Sequence, residues 1–100
     1  MIRWTRSLRI SSGKDMPQAI KWAKEITEFA NKKYKIQMSV YIDTFGEYGT
    51  LRWFADYADL AAFEKVMNQV MADQEYWQKV AQASDFVIHG SVNDKVMHSI

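Results

Sequence analysis

The chain has 100 residues, enough for one ordinary domain, and its 48% hydrophobic and 25% charged content is that of a globular protein rather than a disordered one. A net charge of +1 with the signs mixed along the chain argues against the basic stripe that nucleic acid requires, and the absence of cysteine excludes disulfides, thiolate chemistry and cysteine metal sites. No apolar run is long enough to span a bilayer, and MIRWTRSLRI lacks the apolar core and cleavage site of a secretory signal, so a soluble, cytoplasmic protein is expected.

Ile2 to Ile10 alternates, with Ile2, Trp4, Leu8 and Ile10 on one side and Arg3, Thr5, Ser7 and Arg9 on the other, which predicts a half-buried strand. Arg6 falls on the apolar side. Either a bulge turns it round or its guanidinium escapes at the sheet edge. Ser11 to Asp15 is a turn, and Pro17 then opens a helix predicted to run to Lys33. Its buried stripe is Ala19, Ile20, Ala23, Ile26 and Ala30, with Trp22 and Phe29 on the flank.

Ile36 to Thr44 alternates cleanly and predicts a second strand; the glycines of FGEYG permit a reversal into a third, Thr50 to Asp56. Asp56 is placed as the N-cap of the next helix, whose apolar stripe is Leu60, Phe63, Met67 and Val70. Asp73 interrupts that helix and caps a new one carrying Tyr76, Trp77 and Val80. Phe86 to Val92 is read as the last strand, and the tail after it shows only weak strand character.

The order strand, helix, strand, strand, helix, strand predicts an α+β, ferredoxin-like plait: a four-stranded antiparallel sheet with its helices on one face. The uncovered face is expected to carry Arg3, Thr5, Ser7, Arg9, Gln37, Ser39, Tyr41, Asp43, Arg52, Phe54, Val87 and His89. A single-stranded RNA module has the same strand order, but YGTLRWFADY lacks the basic-glycine-aromatic run of such a module, and Asp43 and Asp56 oppose phosphate. Aromatics are 14% of the chain, which points to a partner surface.

This pattern resembles the dimeric α/β-barrel superfamily, which includes the antibiotic-biosynthesis monooxygenase, EthD and NIPSNAP groups. The resemblance runs from Ile2 to Val92 and is carried by the hairpin, by a strand entering a helix as in WFADYADLAAFEKV, and by the Asp-containing break and short aromatic helix ADQEYWQKV. It implies one dimeric α/β-barrel domain over residues 1–100, a homodimer formed through the open sheet faces, and a cavity between them. It further implies binding or transformation of a small polar or aromatic metabolite there without a cofactor, as in the superfamily's oxygenases and isomerases. The alternative is a non-catalytic homodimeric interaction domain. The first-strand Asn and helical His of the superfamily's haem degraders are missing here.

His89 is the candidate acid or base, weighed against a hydrogen-bonded structural or surface histidine. Arg52, Tyr41 and Asp43, on neighbouring hairpin strands, are the candidate ligand-binding residues; Arg52 and Asp43 equally suit a cross-strand ion pair. Two histidines without a well-spaced carboxylate set make no metal site.

Overall fold

A computed structural model describes residues 1–100. The elements are β1 (Ile2–Arg9), α1 (Met16–Tyr34), β2 (Ser39–Ile42), β3 (Thr50–Tyr57), α2 (Leu60–Met71), α3 (Gln74–Ala81) and β4 (Asn93–His98). The four strands form an open antiparallel sheet in the order β2-β3-β1-β4, the ferredoxin-like arrangement.

β1 and β3 are the two interior strands; β1 pairs with β3 from Ile2 to Arg9 and with β4 from Ile2 to Ser7. Trp4 stands opposite Ala55 and Val96, Arg6 opposite Trp53 and Asp94, and Leu8 opposite Leu51. The inward residues of β1 and β3 meet Ala19, Trp22, Ala23 and Ile26 of α1 in one core. Small residues on the α1 stripe let the helix approach the sheet closely, and Ala19 is completely buried. Trp22, expected on the flank, is buried too. Its ring meets Trp53 and Phe86 edge to face at 6.0 and 5.8 Å, and its Nε1 donates to the Lys79 carbonyl at 2.8 Å, tying α1 to α3.

β2 is shorter than its alternation predicts. Ahead of it the Asn31 side chain exchanges two hydrogen bonds with the Met38 backbone, at 2.8 and 2.9 Å, and occupies groups that a strand ladder would otherwise use. The reversal into β3 ends at Gly49, whose φ of +81° suits glycine and whose carbonyl accepts from Ile10 N at 2.8 Å. β3 in turn runs past its expected end. Asp56 stays in the strand, held by Arg3 across the sheet, and Tyr57 pairs with Ile2 and packs on Phe63 at 5.4 Å. The cap of α2 is therefore Asp59, whose Oδ1 accepts from Ala62 N at 2.8 Å, and not Asp56. No residue of α2 is fully buried. Phe63, Val66, Met67 and Val70 form its half-buried inner face, while Leu60, expected in that stripe, is exposed.

The last strand is a larger correction. Helical turns continue after α3 and carry Phe86 into the core, where it is 2% exposed. Val87 makes only an isolated bridge to Ile10, which puts it on the core side rather than the open face. The chain then turns through His89 and Gly90, and strand pairing resumes at Asn93 in the tail. Every residue of β4 is exposed, since it is an edge strand with polar residues on both faces, and this dilutes the period-two signal.

Asp73 caps α3 as expected: Oδ1 accepts from Glu75 N at 3.0 Å. Its other oxygen accepts from Tyr34 Oη at 2.7 Å and faces Lys33 Nζ at 2.8 Å, so the break between α2 and α3 is pinned to the end of α1. The hydrogen bonds from Lys33 and Tyr34 pull the Asp73 carboxyl down from 3.8 to about 2. The charged form is the one that folding favours, so its contribution is full above about pH 4 and is lost as pH falls through about 2. Asp73→Ala should lower Tm by several degrees. Asp73→Asn, which keeps the cap acceptor, should lower it less, and both gaps from wild type should shrink between pH 4 and pH 2; pH-dependent thermal melts check this.

Candidate functional site

The open sheet face is built from cross-strand pairs. Arg3 on β1 grips Asp56 on β3 with two N–H groups, at 2.8 and 3.0 Å; Arg52 on β3 grips Asp43, just beyond β2, at the same two distances. Such fork-on-carboxylate pairs fix both partners against the sheet surface. The hydrogen bond from Arg52 holds the Asp43 carboxyl below its usual range, and the one from Arg3 does the same for Asp56, with burial opposing in each case. Between the pairs Tyr41 and Phe54 meet edge to face at 5.5 Å, with the Arg3 guanidinium 5.9 Å from the Phe54 ring centre. Phe54 borders two hollows, about 320 Å³ beside Arg3, Ser39 and Tyr41 and about 230 Å³ beside Ser7, Arg52 and Lys95.

Three of the expected site residues, Arg52, Asp43 and Tyr41, thus come together on this face, and the ion-pair reading of Arg52 and Asp43 is the observed one. His89 does not join them. It lies exposed in the turn between Val87 and β4, because the strand expected around it ends at the Val87 bridge. The acid-base role expected of it rested on a sheet-face position that it does not hold.

A second constellation lies on the opposite face, under the helices. Arg6 keeps its place in the β1 alternation: no bulge turns it, and its guanidinium reaches toward the edge strand, half-buried among partners. Nε and Nη2 donate to the Asp94 carboxylate of β4 at 2.7 and 2.8 Å, Nη1 donates to Tyr76 Oη of α3 at 3.1 Å, and the group lies 5.3 Å from the Trp4 ring centre. Burial works against the charge on Arg6, but Asp94 and Tyr76 outweigh it and raise the pKa above its ordinary value. Arg6, Tyr76 and Trp4, together with Met38, wall two adjoining cavities of about 70 and 40 Å³; Asp94 stays outside them, on the edge strand. The rest of the larger cavity is apolar and comes mainly from Ile36, Val66, Met67, Val70 and Met71. Burial also pushes up the phenol of Tyr57 on its wall.

No three His, Asp or Glu side chains converge as metal ligands would. No helix is long and apolar enough to cross a membrane. The helix-side cluster is not predicted from the sequence, although the chain carries two visible signs of it: Arg6 interrupts an otherwise regular alternation, and an aromatic helix follows Asp73.

With this geometry in view, the comparisons with known proteins are specific about family and silent on activity. The NIPSNAP family model matches residues 5–98. An uncharacterized NIPSNAP domain protein from Burkholderia xenovorans superposes with a TM-score of 0.82 at 14% identity, covering 100% of this chain and 95% of the other. A NIPSNAP family protein from Agrobacterium tumefaciens gives 0.80 at 16%, covering 99% and 92%. An antibiotic biosynthesis monooxygenase gives 0.73 at 12%, covering 100% and 99%, so the fold is shared with that group. No curated protein matches the chain.

If Arg6 is held as described, Asp94→Ala should destabilise the protein by about 1–2 kcal/mol. That is less than the roughly 3–5 of a fully buried pair, because both side chains keep some contact with water. Arg6→Met, which removes the charge and keeps the stem, should cost less than Asp94→Ala, and adding Asp94→Ala to Arg6→Met should cost little more. Urea unfolding of the three variants tests that order.

Proposed function

The chain belongs to the NIPSNAP family, and we propose that it binds a small, largely apolar molecule in the cleft between its helices and its sheet, as a homodimer joined through the open sheet faces. The observation that carries the reading is Arg6, held from outside the cleft by Asp94 and hydrogen-bonded to Tyr76 within its wall, in an otherwise apolar cleft. A few convergent polar groups in an apolar concavity are the usual make-up of a small-molecule site: the apolar walls supply affinity and the polar groups fix orientation. The cavities are smaller than a metabolite needs, but α2, which covers the cleft without one fully buried residue, is the element best able to yield.

The open face supports the dimer. Arg3 and Arg52 are neutralised on the face by Asp56 and Asp43, and Tyr41 and Phe54 stand between these pairs as apolar ground on which a second copy can pack. Arg52, Asp43 and Tyr41 then line the dimer interior, where Arg52 and Tyr41 are also the groups to meet any polar molecule held between the sheets. The likeness to a monooxygenase is one of fold, and this cleft supplies hydrogen-bond donors and apolar walls, the means of binding. One observation favours the competing reading, a homodimeric interaction domain without a ligand: the small volume of the closed cleft.

Light scattering after size exclusion should give twice 11.7 kDa, and Phe54→Asp should give a folded monomer. A monomeric wild type would refute the dimer. A panel of aromatic and aliphatic metabolites, screened by thermal shift, separates the two functional readings. A ligand at about 100 times its Kd adds about 2.7 kcal/mol of stability and raises Tm by roughly 10 °C. The shift should vanish in Met67→Trp, which fills the cleft. A wild type that responds to no compound, or a variant that responds equally, leaves the interaction-domain reading.

A further inference from the structure

The four tryptophans do not treat their indole N–H groups alike. Trp22 donates to the Lys79 carbonyl at 2.8 Å, Trp53 to Thr27 Oγ1 at 2.9 Å and Trp77 to the Met71 carbonyl at 3.0 Å. Trp4 Nε1 is sealed from solvent and has no acceptor. An indole nitrogen can only donate, and a buried donor without an acceptor is rare in native proteins because it has given up its water for nothing. Trp4 is also one of the four residues that wall both helix-side cavities, with Arg6, Met38 and Tyr76.

The surroundings narrow what can answer it. Arg6 lies over the Trp4 ring and commits three of its five N–H groups to Asp94 and Tyr76. Positive charge and spare donors therefore stand over the ring that carries the unanswered N–H. Beyond them the wall is methionine and branched aliphatic, soft enough to fit an irregular apolar body.

We propose that, as α2 yields to admit it, the molecule bound in this cleft reaches the sealed Trp4 Nε1 with an oxygen acceptor of the carbonyl type and sets its apolar remainder against Met38, Met67 and Val70. The proposal rests on the cleft being the binding site and adds the polar group by which the ligand is chosen. A site built around a donor discriminates strongly against an analogue that leaves the donor unanswered. Hydrocarbons of the same shape should therefore bind less well than their ketones.

Three probes of one ring size test this: naphthalene, 2-naphthol and 2-acetylnaphthalene, titrated by calorimetry into the full chain. The ketone should bind about tenfold more tightly than naphthalene, with 2-naphthol between them. Trp4→Phe, which keeps an aromatic ring and deletes the N–H, should bring the ketone-to-naphthalene ratio close to one. Comparing the ratio within each protein cancels any change in cavity size. A second readout needs no variant: in ¹H–¹⁵N spectra of the wild type the Trp4 indole cross-peak should move downfield with the ketone and much less with naphthalene. If naphthalene and the ketone bind equally, or the ratio survives Trp4→Phe, the donor has no part in selection and the inference falls while the cleft remains a binding site. A Trp4 peak already downfield without ligand and unmoved by the ketone means that an ordered water answers the N–H, and also overturns it. If Met67→Trp leaves every probe's binding unchanged, the cleft is not the site and both readings fail.

Discussion

Arg6 cannot leave the core side of β1. Successive side chains of a strand point to opposite faces, β1 is paired on both edges, and Trp4 and Leu8 on either side of Arg6 are buried. A one-residue slip that freed the arginine would expose both. The charge must be answered where it stands, and two elements distant in sequence do so. Asp94 fixes where the tail must run as β4, and Tyr76 fixes where α3 must lie. The break at Asp73 has its physical sense here. A continuous α2 would carry its aromatic residues along one axis, whereas the capped restart, anchored to Lys33 and Tyr34, sets Tyr76 over the arginine and leaves Trp77 to cap the end of α2 through the Met71 carbonyl.

The two faces of the sheet answer their polar groups differently. On the open face each arginine meets a carboxylate on or beside a neighbouring strand, the pairs lie across the face of the sheet, and aromatic rings stand between them. That chemistry suits contact with another surface, because charges already neutralised in place lose less on leaving water. On the helix face polar groups are few and sit in apolar walls, so each has large consequences. Arg6 is satisfied and Trp4 Nε1 is not. Selection of a ligand belongs to the second environment, where an unmade hydrogen bond is expensive and a made one is strong.

Much of the fold was legible in the chain. The alternation of β1, β2 and β3, the stripe of α1 and the cap at Asp73 are patterns within a few residues, and they correctly imply the plait and the NIPSNAP resemblance. The Arg52–Asp43 pair was legible because hairpin neighbours are close in sequence. Errors fell where two local signals competed. Asp56 and Asp59 are both good caps, and only the cross-strand grip of Arg3 keeps Asp56 in the sheet. Phe86 to Val92 carries more apolar residues than Asn93 to His98, yet the edge strand is the polar segment, because an edge needs backbone pairing on one side only and buries little. His89 was misplaced with that strand.

What the sequence by itself determined was therefore the set of elements, their approximate faces and the oddity at Arg6, since periodicity and capping act over one or two turns of chain. Only the tertiary structure decided the partners of that oddity. Residues 6, 76 and 94 meet through the crossing of α3 and the return of the tail, and which carboxylate reaches which guanidinium depends on register and distance rather than residue type. The unanswered Trp4 Nε1 is of the same kind. A hydrogen bond that is not made depends on where every possible acceptor lies, and local pattern holds no record of that.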